Sequence, residues 1–155
     1  MFDIKAISSD LFLADDGIWY SKNKRDISYP ERGNQDFFEI EDNSFWFKHR
    51  NKCIVSLVNN YPPQDKGPIF DIGGGNGYVS HGLSDSGFSV VLVEAGVNGV
   101  RNAKKRGLEH IICGPFEDGG FARRAIPAIG LFDMLEHIED DLSFLKSLQF
   151  LLVNK

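Results

Sequence analysis

The stretch Ile69 to Gly77, Ile-Phe-Asp-Ile-Gly-Gly-Gly-Asn-Gly, constrains the fold more than any other part of this chain. Its short apolar run, ending at Asp71 and Ile72, reads as a buried strand, and the glycines after it let the backbone turn tightly. Tyr78 to Ser86 then reads as a helix closed by Gly87. A loop of this kind brings the main chain close to a ligand and aims the free N–H groups of the following helix at it. Gly73, Gly74, Gly75 and Gly77 weaken a fold unless that space is needed, although a tight strand-to-helix turn without a ligand would also use them.

The same alternation continues downstream. Ser89 to Val93 is a β-branched run ending at Glu94, as expected of a strand buried on both faces of a parallel sheet. Asn98 to Arg106 reads as a helix closed by Gly107. Further short strands fit His110 to Cys113 and Ala128 to Phe132, with Pro127 restricting the start of the second. Asp140 or Asp141 caps a last helix whose apolar positions include Leu142, Leu145 and Leu148. Strand-helix alternation implies right-handed crossovers and an α/β fold, a doubly wound parallel sheet between two helical layers. Upstream, Asn43 opens a helix running to about Asn60, which Tyr61-Pro62-Pro63 ends. Residues 1 to 42 mix Phe12, Trp19, Tyr20, Tyr29, Phe37 and Phe38 with turn formers and hold no period, so they read as an irregular arm ahead of a domain spanning 43–155.

The bulk numbers fit one ordinary domain: 155 residues, 42% hydrophobic and 25% charged, enough for a single core. A net charge of -5 and a pI near 5.3 argue against nucleic acid or an anionic membrane as partner, since both favour clustered positive charge. Cys53 and Cys113 stand apart, in no ligand-spaced cluster, and read as buried thiols in a reducing compartment, with no metal site. No apolar run approaches the roughly 18 residues needed to span a bilayer. The N-terminus carries Asp3 where a signal peptide would have a basic start, so the expected location is the cytoplasm.

Spacing chooses among the ligands a glycine loop can serve. The dinucleotide fingerprint G-x-G-x-x-G would need a small residue at Tyr78 if it began at Gly73, or at Ser80 if it began at Gly75. The pattern present is D-x-G-x-G-x-G. Glu94 ends the next strand, about 20 residues after the first glycine, where a carboxylate can accept both hydroxyl hydrogens of a ribose. Further on lie Cys113-Gly114-Pro115-Phe116-Glu117-Asp118 and Phe132-Asp133-Met134-Leu135-Glu136-His137-Ile138.

Together these segments resemble the class I methyltransferases that use S-adenosyl-L-methionine, with D-x-G-x-G-x-G as their first motif and D-V-L-E-H-I, here with Met134 for valine, after the fourth strand. The resemblance covers about residues 45 to 150 and implies the Rossmann-like α/β/α fold. It implies that Asp71, Gly73, Gly74, Gly75, Gly77, Glu94 and Ala95 hold the cofactor. Phe116 would cover the adenine and Glu117 or Asp118 accept from its amine, although Pro115 replaces the acid usual after the glycine. Phe132 and Asp133 would lie beside the methionine part. His137, with Asp133 as the second catalytic candidate, would face the acceptor, where a neutral imidazole can take a proton, or else His137 would serve only a helix start or packing.

Other candidates divide between two readings. His49 and Arg50 could line the active site, or could sit on an amphipathic helix with its aromatics on the sheet and its charges in water. Lys104-Lys105-Arg106 reads as a solvated helix end and His81 as structural. The implied activity is methyl transfer to a small molecule. The alternatives are a non-catalytic cofactor-binding fragment or partner-dependent module and, against Tyr78, an NAD-dependent oxidoreductase. Relatives of this class have seven strands, whereas four are recognisable here before Lys155. The domain is therefore expected to be incomplete at its C-terminus, leaving a sheet edge open to self-association.

Overall fold

The structure, a computed structural model, describes residues 2–23, 31–63 and 67–153; Tyr29, Lys66, Asn154 and Lys155 lie outside the described residues. The elements run α1 (Ile4–Ile7), β1 (Leu11–Leu13), β2 (Trp19–Ser21), α2 (Glu31–Glu41) and α3 (Phe45–Asn60). They continue as β3 (Ile69–Ile72), α4 (Tyr78–Asp85), β4 (Val90–Glu94), α5 (Val97–Lys105), β5 (Ile111–Cys113), β6 (Ala128–Gly130) and α6 (Asp141–Gln149).

The sheet has the order β1-β2-β5-β4-β3-β6. β2, β5, β4, β3 and β6 are mutually parallel, and only β1 runs antiparallel to its neighbour. The α/β fold and the central strand-helix alternation are as the sequence implies, with element ends moved by a residue or two. Every residue of β3, β4 and β5 is buried. Their side chains alternate between two cores because successive Cβ atoms leave opposite faces. Phe70, Ile72, Val91, Val93 and Ile112 join Ile4 of α1 and Phe144 and Leu148 of α6 on one face. On the other, Ile69 and Val90 meet Val79 and Leu83 of α4, while Leu92, Ile111 and Cys113 meet Val100 and Ala103 of α5. Burying a side chain such as Leu83 is worth about 2 kcal/mol.

In four respects the structure corrects or refines these expectations. First, the arm is not irregular where it is described: β1 and β2 extend the sheet beyond β5, and α2 packs on α5. β1 pairs only with β2, and β2 joins the sheet through β5, about ninety positions away, so no local period announces them.

Second, α3 begins at Phe45 behind Ser44 and does not lay its aromatics on the sheet. Phe45 and Trp46 are exposed, and the helix reaches the core through Ile54, Val55 and Val58, all partly buried. Third, α6 buries Phe144 and Leu148 while Leu142 and Leu145 stay exposed. The Asp140 side chain accepts from Ser143 N–H at 3.1 Å, which fixes the first turn and thereby which i, i+4 pair faces inward. Fourth, Cys53 is exposed on α3, although Cys113 is buried; both thiols are free.

β6 borders β3 on one side. On the other, Ile126, just before β6, makes an isolated parallel bridge with Leu152.

Candidate active site

The site lies at the C-terminal ends of β3, β4 and β6, where the sheet order reverses direction, the usual crevice for a ligand in a doubly wound sheet. Gly73, Gly75 and Gly77 all take positive φ, at 71°, 55° and 75°. They serve different ends. A Cβ at Gly77 would lie 2.7 Å from Leu108 and 3.0 Å from Ala103, so that glycine lets α5 pack close. At Gly75 a Cβ would meet nothing nearer than Asn34 at 4.0 Å, leaving open space beside the backbone.

Glu94 ends β4 next to this loop with 6% exposure. One carboxylate oxygen accepts from Gly75 N–H at 2.9 Å and the other from Gly96 N–H at 2.6 Å. Burial raises its pKa, and the backbone amides of Gly96, Gly75 and Ala95 oppose that rise.

Two cavities flank the glycine loop. The first, of about 480 Å3, is lined by Gly73, Gly75, Glu94, Ala95, Phe116 and Glu117. Phe116 is buried and stacks on Phe121, with ring centroids 4.9 Å apart. The second, of about 360 Å3, opens on the other side of the loop between Asp71, Gly74, Phe132 and the helices α2 and α3. Gly73, Gly75, Asp133 and His137 line both. The expected set is thus brought to these two cavities, except that Gly77 and Asp118 line neither. His81 also lines neither, and pairs with Asp85 at 3.0 Å.

Asp71 is fully buried in the wall of the second cavity. One of its oxygens accepts from Ser80 Oγ at 2.6 Å, and the other has no hydrogen-bond partner. Burial pushes its pKa up from 3.8 to about 6, helped by the charge of Glu94 and opposed by Ser80 and Arg50.

Asp133, just beyond β6, holds a left-handed backbone with φ 58°, a conformation that Asp tolerates better than most residues. Its carboxylate is ion-paired with Arg50. The Arg50 guanidinium in turn sits over the Trp46 ring, 5.6 Å from its centroid. Of the two readings of this helix, Arg50 therefore follows the first: it lines the second cavity, with its side chain 17% exposed.

A buried polar network holds α2 over the loop. Asn76 Nδ2 donates to the Asn34 carbonyl at 2.8 Å and to Glu41 Oε1 at 3.2 Å, while Asn76 Oδ1 accepts from Asn102 Nδ2 at 3.0 Å. Arg106 then binds Glu41 at 2.9 Å and Asp42 at 2.7 Å. It is no solvated helix end: its side chain is 8% exposed, with its guanidinium 4.6 Å from the Phe38 ring centroid and 5.0 Å from that of Tyr78. A basic residue at a helix C-terminus is ordinarily wet, and here α2 covers it.

Asn76 is a positioning residue that sequence reasoning passed over, since the loop's glycines take the attention. Trp46, which one reading of its helix lays on the sheet, and Phe37, which reads only as part of the arm, both line the second cavity. Among the described residues no cluster of three or more His, Cys, Asp or Glu side chains is placed to hold a metal ion. No helix among them is long and apolar enough to cross a membrane.

The family described as methyltransferase domain matches residues 46–154 of this chain. Among solved structures, a SAM-dependent methyltransferase from Bacteroides fragilis in complex with S-adenosyl-L-homocysteine is 20% identical, with a TM-score of 0.49 over 68% of this chain and 42% of that one. The DhpI–SAH complex is 13% identical, with a TM-score of 0.46 over 79% of this chain and 62% of that one. The chain spans less than two thirds of either relative's length. No curated protein matches it.

Proposed function

We propose a function from one premise: the chain belongs to the methyltransferase domain family, whose match covers residues 46–154. It binds S-adenosyl-L-methionine and transfers a methyl group to a small-molecule acceptor. The observation that carries this reading is the buried Glu94 carboxylate, bonded to the loop at Gly75 N–H and lining the first cavity.

The residues present fit that cofactor. A carboxylate has about four lone-pair sites, and Glu94, held by the amides of Gly75, Gly96 and Ala95, keeps acceptor capacity for a ribose hydroxyl. The open space at Gly75 admits a ligand against the main chain. The unpartnered oxygen of Asp71 suits the ammonium of an amino acid. Ala95, Phe116 and Glu117 enclose the adenine end. Gly73 and Gly74 set the loop's course, and Phe132 and Asp133 lie toward the methionine end.

The cofactor supplies a methyl group already activated on a sulfonium, so little covalent help is asked of the protein. The chain's part is alignment and proton removal. His137 stands where the two cavities share a wall, and its imidazole nitrogen takes the acceptor's proton. The acidic charge and the free thiols support a cytoplasmic protein that leaves nucleic acid alone.

Calorimetry with S-adenosyl-L-homocysteine tests the reading. Binding is expected, and Glu94→Ala weakens it by about 1 to 3 kcal/mol through the lost charged hydrogen bonds. Absence of heat at near-millimolar ligand would overturn the cofactor assignment, and an unchanged affinity in the variant would remove the ribose role.

A further inference from the structure

The second cavity has walls that the cofactor assignment does not use. Phe37 of α2 and Trp46 and Phe47 of α3 line it, together with Phe132, which it shares with the methionine end of the proposed cofactor site. The rings are held edge to face: Trp46 and Phe47 lie 5.0 Å apart between centroids, Phe37 and Phe47 6.2 Å, and Phe47 and Tyr78 6.3 Å. Trp46 and Phe37 are nevertheless 58% and 52% exposed. Large rings left half in water around a concavity gain most from a flat apolar occupant, which buries area and stacks at once. Charge narrows the choice further. Among the described residues lining this cavity, Glu41 is paired with Arg106 and Asp133 with Arg50, the single permanent cation of the lining, while Asp71 has no cation in ion-pair contact. The cavity therefore offers an anionic occupant no free positive charge.

Resting on the methyltransferase reading, we propose that this cavity is the acceptor site and that it takes a planar, uncharged aromatic compound bearing a phenolic hydroxyl. Phe37, Trp46, Phe47 and Phe132 provide the aromatic enclosure. His137 lines the boundary with the first cavity, where the hydroxyl must sit. The hydroxyl oxygen forms the new bond to the methyl carbon while the sulfur–methyl bond breaks, its electron pair remaining on sulfur. The hydroxyl proton goes to His137.

Saturation-transfer NMR on the whole chain, with 2-naphthol as probe, tests this by binding alone. 2-Naphthol is expected to bind at least tenfold more tightly than its saturated analogue decahydro-2-naphthol, and at least tenfold more tightly than the anion 2-naphthoate. Trp46→Ala should weaken 2-naphthol about tenfold or more; the residue is half exposed, so the fold tolerates the change. Equal binding of the saturated alcohol, preference for the anion, or an unchanged affinity in Trp46→Ala would each overturn the proposal. Calorimetry with S-adenosyl-L-homocysteine on the same sample separates the two readings. Cofactor binding without 2-naphthol binding removes the acceptor site alone. 2-Naphthol binding with the stated selectivity but no cofactor heat keeps the aromatic cavity and removes the methyltransferase reading.

Discussion

Arg106→Ala withdraws the guanidinium that ties α2 to α5, and the size of the effect follows from burial. Arg106 and Glu41 are 8% and 10% exposed in their side chains and lie 2.9 Å apart. Removing one member of a buried pair leaves the other charged and unpaired, which costs about 3 to 5 kcal/mol. The second partner, Asp42, is 56% exposed, so its share is at most about 1 kcal/mol. Glu41 keeps its hydrogen bond from Asn76, which places the expected loss near the lower end, about 3 kcal/mol. Set against a total of about 5 to 15 kcal/mol for a domain, this is large.

Urea unfolding at pH 7 measures it. The effect also has a pH signature. Burial raises the pKa of Glu41 and Arg106 holds it down. Without Arg106 it rises further. A carboxyl raised in the folded state favours the fold while protonated and loses that contribution as pH rises through its folded pKa. The deficit of Arg106→Ala should therefore be greatest at neutral pH and shrink as the pH falls toward the ordinary carboxylate range. The double variant Arg106→Ala/Glu41→Gln should regain about half of it. A loss under about 1 kcal/mol at pH 7, or a deficit that does not change with pH, would refute the reasoning.

Two further predictions concern the loop and its support. Asp71 ionises near pH 6 in the fold against 3.8 in the reference state, so its charging removes about 3 kcal/mol of stability as pH rises from about 4 to 7. Asp71→Asn cannot titrate. Its stability relative to the parent, from denaturant curves across that range, should improve with rising pH, and a flat difference would count against the buried charge. Gly99→Ala would normally stabilise a helix interior by up to about 1 kcal/mol. Here the new Cβ would lie 2.8 Å from the Gly75 carbonyl oxygen and 2.9 Å from Glu94 Cγ. A destabilisation of about 1 to 3 kcal/mol with weakened S-adenosyl-L-homocysteine binding is expected, and thermal melts showing a gain would contradict the packing.

What could be read from the sequence is what short-range chemistry decides. β3, the glycine loop and α4 form one continuous local signal, a short apolar run followed by residues that need positive φ. Glu94 could be placed because its register with the loop follows from one strand-helix-strand unit. The two strands of the arm could not, since three-residue strands carry no period and the strand that ties the pair into the sheet, β5, is distant in sequence. Arg106 and Asn76 escaped for a related reason. A residue type suggests burial or exposure only on average, and α2, which covers both, belongs to a segment with no regular pattern. Trp46 and Arg50 showed the limit of amphipathic reasoning: α3 overhangs the site at its N-terminal end and packs on the core further along, so no single face describes it.

The bond between Glu94 and Gly75 N–H means that the group proposed to face the ligand also fixes the loop before any ligand arrives. Ordering a loop on binding subtracts from affinity, and a loop already held spares that entropy. Association with the first cavity should accordingly be a single kinetic step whose observed rate rises linearly with ligand concentration, without the plateau that a slow loop rearrangement would impose.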